Sequence, residues 1–178
     1  MLAEAGPASV AARFGADRDG ATVVEFALIA LPFFALLMAI LETGLMFFAG
    51  QTLDTSVGLA ARMIRTGQAQ EMGFDDARFR EEVCRIAALV MNCDGIKLDV
   101  TVFPDFQAID LTPGIGGNGD VDDSGFGYEP GHGEDIVVVR AFYNWPVYAN
   151  ILGFTLDSGN GSHLLSTTVA FRNEPFPW

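Results

Sequence analysis

The sequence predicts an α+β fold. A long N-terminal helix crosses a membrane, a second short helix follows, and a small three- to four-stranded antiparallel sheet packs on the amphipathic half of the first helix. Three observations predict it. An apolar run begins near the N-terminus, helical periodicity continues past that run, and beyond Asp94 the apolar period changes to two.

The apolar run comes first. Phe26 to Leu41 is sixteen residues without a charge, and apolar character resumes past Glu42 in TGLMFFAG. A bilayer span needs about 20 predominantly apolar residues. Thr22 to Ala49 reaches that length if Glu25 and Glu42 are tolerated near its ends or in a protein interface. Pro32 predicts a kink or an opened turn inside the helix. Three readings compete for the segment. A cleaved secretory signal ending at Ala49 would put bulky Phe47 where a small residue is needed, with Glu42 intruding. A buried helix of a soluble protein needs more surrounding core than the remaining chain supplies. A single-pass membrane helix with the C-terminal bulk exported fits best. Arg13 and Arg18, ahead of the run, agree with the positive-inside rule.

The helix is expected to continue past the membrane. In QTLDTSVGLAARMIRTG, Leu53, Val57, Ala60 and Ile64 recur at helical spacing, with Asp54, Arg62 and Arg65 off the stripe and Gly67 as a stop. One helix from Thr22 to Thr66 results, greasy first and amphipathic later. A second helix is signalled by FDDARFREEVCRIAALVMN, capped by Asp75 or Asp76, with Phe79, Val83, Ile86 and Val90 as its apolar stripe.

Then the period becomes two. In IKLDVTVF, Ile96, Leu98, Val100 and Val102 alternate with polar residues, as in a half-buried strand. DIVVVRAFYNW (135–145) is apolar on both faces and so central, and LSTTVAFR (165–172) is a third strand. Trp145-Pro146 is expected to end the pairing, since proline cannot donate to a ladder. The Gly- and Asp-rich stretch between the first two strands reads as a flexible, solvated loop, and DSGNG (157–161) as a turn.

Charge narrows the function. The 178-residue chain carries ten Lys plus Arg against 23 Asp plus Glu, a net −13, and from Asp94 onward the only basic residues are Lys97, Arg140 and Arg172. Such a chain repels a phosphate backbone, so no nucleic-acid partner is expected. Two cysteines, Cys84 and Cys93, are too few for a zinc site, and neither His132 nor His163 lies at ligand spacing. An exported domain would pair the cysteines; a cytosolic one would bury two thiols. An unbroken helix would set them about 13 Å apart. A disulfide therefore requires the chain to double back before Cys93, for which Asn92 and Asp94-Gly95 are suited.

Chemistry-bearing motifs are scarce. Asp120, Asp122, Ser124 and Gly125 fit the first positions of a calcium loop, but Gly131 stands where a bidentate Glu is needed, so no metal is expected. GIGGNG (114–119) opens no helix and is no phosphate loop. His132 and His163 read as surface residues. No nucleophile triad appears, so neither an enzyme nor a cofactor is expected. Two readings compatible with these observations are an uncleaved single-pass anchor serving an envelope complex, and a secreted or anchored enzyme.

Glu25 is the residue that needs explaining, because an unpaired acid in an apolar run is costly. A cut after Gly20 would make Glu25 the fifth residue of a chain beginning at Ala21 with a free amine. This resembles the type IV pilin class of signal, in which a short charged leader ends in Gly and Glu stands at mature position five. In a helix bundle, Glu25 and a neighbour's α-amine would neutralise each other and fix axial register. Within that class, D-R-D-G-A-T-V-V-E-F-A-L-I-A-L-P looks like the start of TadE-like proteins, minor pseudopilins of the tight-adherence (Tad/Flp) pilus. AARMIRTGQAQ (60–70), the Cys84 and Cys93 pair before a strand, and FRNEP (171–175) are similar as well. Phe26 after Glu25, where major Flp pilins carry Tyr, and the large C-terminal domain both argue for a minor component.

The resemblance implies a pilin-like fold and an assembly role. Residues 1–20 would be a prepilin-type leader, 21–50 the transmembrane and assembly helix, and 51–178 a periplasmic α+β domain. A prepilin peptidase would cut Gly20–Ala21. Glu25 and Phe26 would serve assembly, and Cys84–Cys93 would form a disulfide. The implied partners are the lipid bilayer, other pilins and minor pseudopilins (a TadF-like one among them), and the inner-membrane assembly platform. The place is the inner membrane, with entry into an extracellular pilus as a further step, and surface adherence as the outcome.

Overall fold

The computed structural model describes residues 20–109, 116, 120–147 and 161–177. The expected leader up to residue 19, most of GIGGNG and most of DSGNG lie outside the described residues. The chain divides into two compact units, Met1–Ile40 and Leu41–Trp178.

Helix α1, Ala21–Arg65, contributes to both units. In the first unit its apolar side chains are exposed: Phe26 is 70% accessible and Leu31 68%. The most apolar window of this helix is only 6% buried. Such exposure does not fit a buried core helix, and α1 is long and apolar enough to cross a membrane. Pro32 lies inside α1 without ending it.

The second unit is an α+β body. Its part of α1 buries Ala49, Leu53, Val57, Ala60, Ala61 and Ile64, the expected stripe widened by Ala49 and Ala61. Gly67 ends this helix with φ 78°, a left-handed backbone that glycine adopts without steric cost. A short helix α2, Gln68–Glu71, follows. Helix α3, Asp76–Ala87, is capped by Asp75, whose Oδ1 accepts from Arg78 N–H at 2.8 Å. Its buried face is Phe79, Val83 and Ala87. Ile86 is only half-buried and Val90 lies beyond the helix end, which corrects the expected stripe. Both spacings keep a helix face; here the packed side follows Phe79, Val83 and Ala87, and Val90 still packs on the core from beyond the helix.

Three strands form the sheet: β1 Ile96–Phe103, β2 Ile136–Pro146 and β3 Ser162–Arg172, in the order β1-β2-β3 and antiparallel throughout. β2 is central, as its apolarity on both faces predicted. Ile96, Leu98 and Val100 of β1 and Val137, Val139 and Ala141 of β2 meet the helices in one core. As expected, β2 and its pairing with β3 end at Pro146, which stands opposite Ser162, with one further bond from Val147 N–H to Gly161 O at 3.0 Å. β1 reaches only to Tyr143, so the missing donor of Pro146 falls where no neighbouring strand needs it.

Residues 120–135 are pinned, contrary to the flexible loop expected there. Val100 N–H donates to Gly127 O at 2.9 Å and Glu129 N–H to Val100 O at 2.8 Å, so this segment covers the outer edge of β1.

Candidate functional site

Two sets of residues bear on function, one in each unit. In the first unit, Gly20 is exposed and precedes α1 in a turn, its carbonyl accepting from Val24 N–H at 3.2 Å. The helix therefore begins at Ala21, the residue expected to follow the scissile bond. Glu25 stands one turn further along, i+4 from Ala21, and both Glu25 and Phe26 are exposed. Residues four apart share a helix face. An amine at Ala21 and the Glu25 carboxylate would thus lie on one side, at the end where the helix dipole favours an acid. Around them Val23, Val24, Leu28 and Ile29 are all exposed and apolar.

In the second unit the cysteines are joined. Cys84 on α3 and Cys93 form a disulfide with Cα atoms 5.8 Å apart. The chain reverses where expected. α3 ends at Ala87, Asn92 accepts from Asp94 N–H at 3.1 Å through its side chain, and Gly95 N–H returns to Asn92 O at 3.1 Å. Gly95 lies against Tyr143, where a Cβ would stand 2.9 Å from the ring.

A cavity of about 640 Å³ opens between α3, β1 and the pinned segment, lined among others by Asp76, Arg80, Lys97, Asp123, Phe126 and Tyr128. Its charges compensate one another. Arg80 meets Asp76 at 3.6 Å, and Lys97 meets Asp120 at 3.4 Å and Asp123 at 3.6 Å. Burial works against the charged form of Asp120. Hydrogen bonds from the Asn144 side chain and the Val121 N–H, with the Lys97 ammonium, outweigh it and hold the carboxyl below its ordinary range. Asp122 is also lowered, by the side chain and N–H of Ser124. The Tyr128 hydroxyl is pushed up to about 12, chiefly by burial and then by Asp75 and Asp76. Among the described residues no group of three or more His, Cys, Asp or Glu is placed to hold a metal ion. Asp120 and Asp122 instead bond to their own chain: Asp120 Oδ1 accepts from Asn144 Nδ2 at 2.7 Å, and Asp122 Oδ1 from Ser124 N–H at 3.1 Å. The arrangement fastens a segment to the sheet.

FRNEP (171–175) fastens the C-terminal segment. Asn173 is buried, and its Nδ2 donates to Pro130 O at 3.0 Å and His132 O at 2.9 Å. Sequence reasoning noted the motif but not this role, for which a polar residue directly after a strand was the available signal.

These features define a class: an α+β protein whose N-terminal helix can cross a membrane and carries an acid one turn from its start. Comparison with known families is more particular. The family model described as TadE-like protein matches residues 20–62, which is Gly20 and α1 as far as Arg62, in agreement with the resemblance read from the sequence. The match suggests a protein associated with a Tad pilus. No curated protein and no solved structure matches the chain significantly.

Proposed function

We propose that this chain is a minor pseudopilin of a Tad/Flp-type pilus, acting in pilus assembly as a primer, tip or biogenesis component and through it in surface adherence. The observation that carries the reading is a coincidence of boundaries. The TadE-like match begins at Gly20 and the helix begins at Ala21, which is where a prepilin peptidase would cut. Glu25 is then the acid that meets the α-amine of a neighbouring subunit in an apolar bundle. The exposed apolar face of the first unit suits first the lipid bilayer and then the helices of other pilins, including a TadF-like partner. The body that follows stands on the periplasmic side of the inner membrane, where the Cys84–Cys93 disulfide persists. The protein works by packing and register, at the inner-membrane assembly platform, rather than by catalysis.

The test is the N-terminal mass of the protein purified from its native membrane. A chain beginning at Ala21 is expected. A chain beginning at Met1 would leave an uncleaved anchor of another envelope complex and overturn the reading.

A further inference from the structure

Among the described residues the outer edge of β3 is open. Val147 N–H donates to Gly161 O at 3.0 Å and Asn173 N–H to Asp135 O at 2.8 Å, both in register with the β2–β3 ladder. Hydrogen-bonded and non-bonded pairs alternate along an antiparallel ladder. The odd-numbered residues of β3 therefore bond to β2, while Leu164, Ser166, Thr168, Ala170 and Arg172 turn their backbone N–H and C=O groups outward. None of these outward groups has a partner among the described residues. β1 differs, since residues 127–129 cover its edge. Proteins blunt a long free edge with proline, lysine or a covering segment, because it is a template for strand addition. β3 contains neither proline nor lysine.

Two cavities, together called the trough, lie beside this edge between β3 and the second-unit part of α1. One end, about 500 Å³, is lined by Gly58, Ala61, Arg62, Arg65, Val169 and Phe171 among others. The other, about 310 Å³, lies by Gly50, Asp54, Leu165 and Thr167. Gly50, Gly58 and Ala61 are among its lining, and a Cβ on Gly58 would meet nothing within 4 Å. Charge marks one end. Arg62 makes no ion pair among the described residues, and Arg65 reaches Glu174 only at 3.7 Å, with both side chains more than half exposed. In a chain of net charge −13, Arg62 sets one positive charge here beyond the one that Glu174 offsets, beside unpaired backbone.

We propose that β3 is the docking site for an extended segment of a different protein, which adds as a fourth strand, drops alternate side chains into the trough and sets a carboxylate on Arg62. Strand addition draws affinity from the backbone bonds and specificity from the pockets for alternate side chains. A second copy of β3 does not fit this end, because Ser162–Arg172 contains no acid and would bring Arg172. The inference is independent of the pilus reading, since it rests on the edge, the trough and the charge alone.

The test titrates detergent-solubilised full-length protein with peptides as long as Leu164–Arg172, alternating Val and Thr. They carry Glu or Lys at either end, and some are N-methylated at alternate residues. A Glu peptide is expected to bind about two- to five-fold more tightly than its Lys counterpart, with the preference reversed in Arg62→Glu. N-methylation in the register facing β3 should weaken binding more than about tenfold, and in the other register little. That comparison changes only the ligand, so a folding defect cannot produce it. Absence of binding, equal binding of Glu and Lys peptides, or indifference to N-methylation would overturn the proposal. So would disulfide trapping of Ser166→Cys in native membranes that joins two copies of this chain through β3.

Discussion

Arg140 stands directly across from Asp99 on neighbouring strands, and its Nε and Nη2 both donate to Asp99 Oδ2, at 3.0 and 2.7 Å. The other carboxylate oxygen accepts from Gly127 N–H at 3.1 Å and Thr101 Oγ1 at 3.2 Å. The Arg140 guanidinium lies 5.9 Å from the centre of the Phe126 ring, which in turn packs on Phe142. One buried carboxylate thus ties β1, β2 and the pinned segment together. Breaking a buried pair by removing one partner typically costs about 3–5 kcal/mol. Asp99→Ala and Arg140→Met are each expected to lose that much in urea unfolding of the solubilised protein, and the double variant less than the sum. Losses of about 0–1 kcal/mol, as for an exposed pair, would show that the pair is not the clamp.

The disulfide closes a short loop, with Cys84 and Cys93 nine positions apart. Chain-entropy arguments give about 2–3 kcal/mol for a loop of this size. Replacing both cysteines by alanine should lower the urea midpoint accordingly, with the slope little changed. Thiol labelling of protein taken from membranes should find no free cysteine; two reactive thiols would refute both the bridge and the proposed periplasmic side.

Acid should loosen the segment at Asp120 before the sheet. The folded carboxyl titrates below its ordinary value of 3.8, so its contribution is present above that pH and is lost as pH falls through the lower folded value. Asp120 is partly exposed, so the effect is local. Exchange of the Val121 amide, whose N–H donates to Asp120 Oδ1 at 2.8 Å, is expected to speed up below about pH 4. In Asp120→Asn that acid step should vanish, and its persistence would assign the step to another group.

Where a pattern is local, the sequence was enough. The bounds of α1, the strand Ile96–Phe103 and the reversal before Cys93 follow from periodicity, a glycine stop and turn residues. What failed depended on neighbours. The Asp- and Gly-rich segment looked solvated because its bonds go to Val100, Lys97 and Asn144, which are far away in the chain. The open edge of β3 was invisible for the same reason, since strand order is not written in strand composition. For the N-terminal set the position is reversed. Gly20 and Glu25 were read from spacing alone, and the described contacts add only where the helix starts.

Asn173 is predicted to lock two segments at once. Its side chain holds the carbonyls of Pro130 and His132, and its N–H holds Asp135 O at 2.8 Å. Next to it, a Cβ on Gly133 would stand 2.7 Å from Phe176 O, so the two backbones are in close approach. Asn173→Ala should cost about 1–3 kcal/mol. Hydrogen exchange should then rise together in 130–135 and 173–177, with the middle of β2 unchanged. A rise in only one segment would mean that they are held separately.

Glu25→Gln separates register from insertion. The amide keeps the size and polarity of the side chain, and the residue lies one turn from the start of α1 among exposed apolar neighbours. Membrane insertion should therefore be unchanged, since a neutral residue is easier to place in lipid than an acid. Assembly should be lost. In the proposed bundle the mutant would leave each neighbour's α-amine uncompensated, and removing one partner of a buried pair costs about 3–5 kcal/mol. The measurement is surface fibre counts beside the amount of membrane-inserted protein. Gly20→Ser serves as the companion variant and is expected to retain the residues before Ala21. Fibres at normal numbers in Glu25→Gln would end the register role, and normal shortening of Gly20→Ser would move the cleavage site elsewhere.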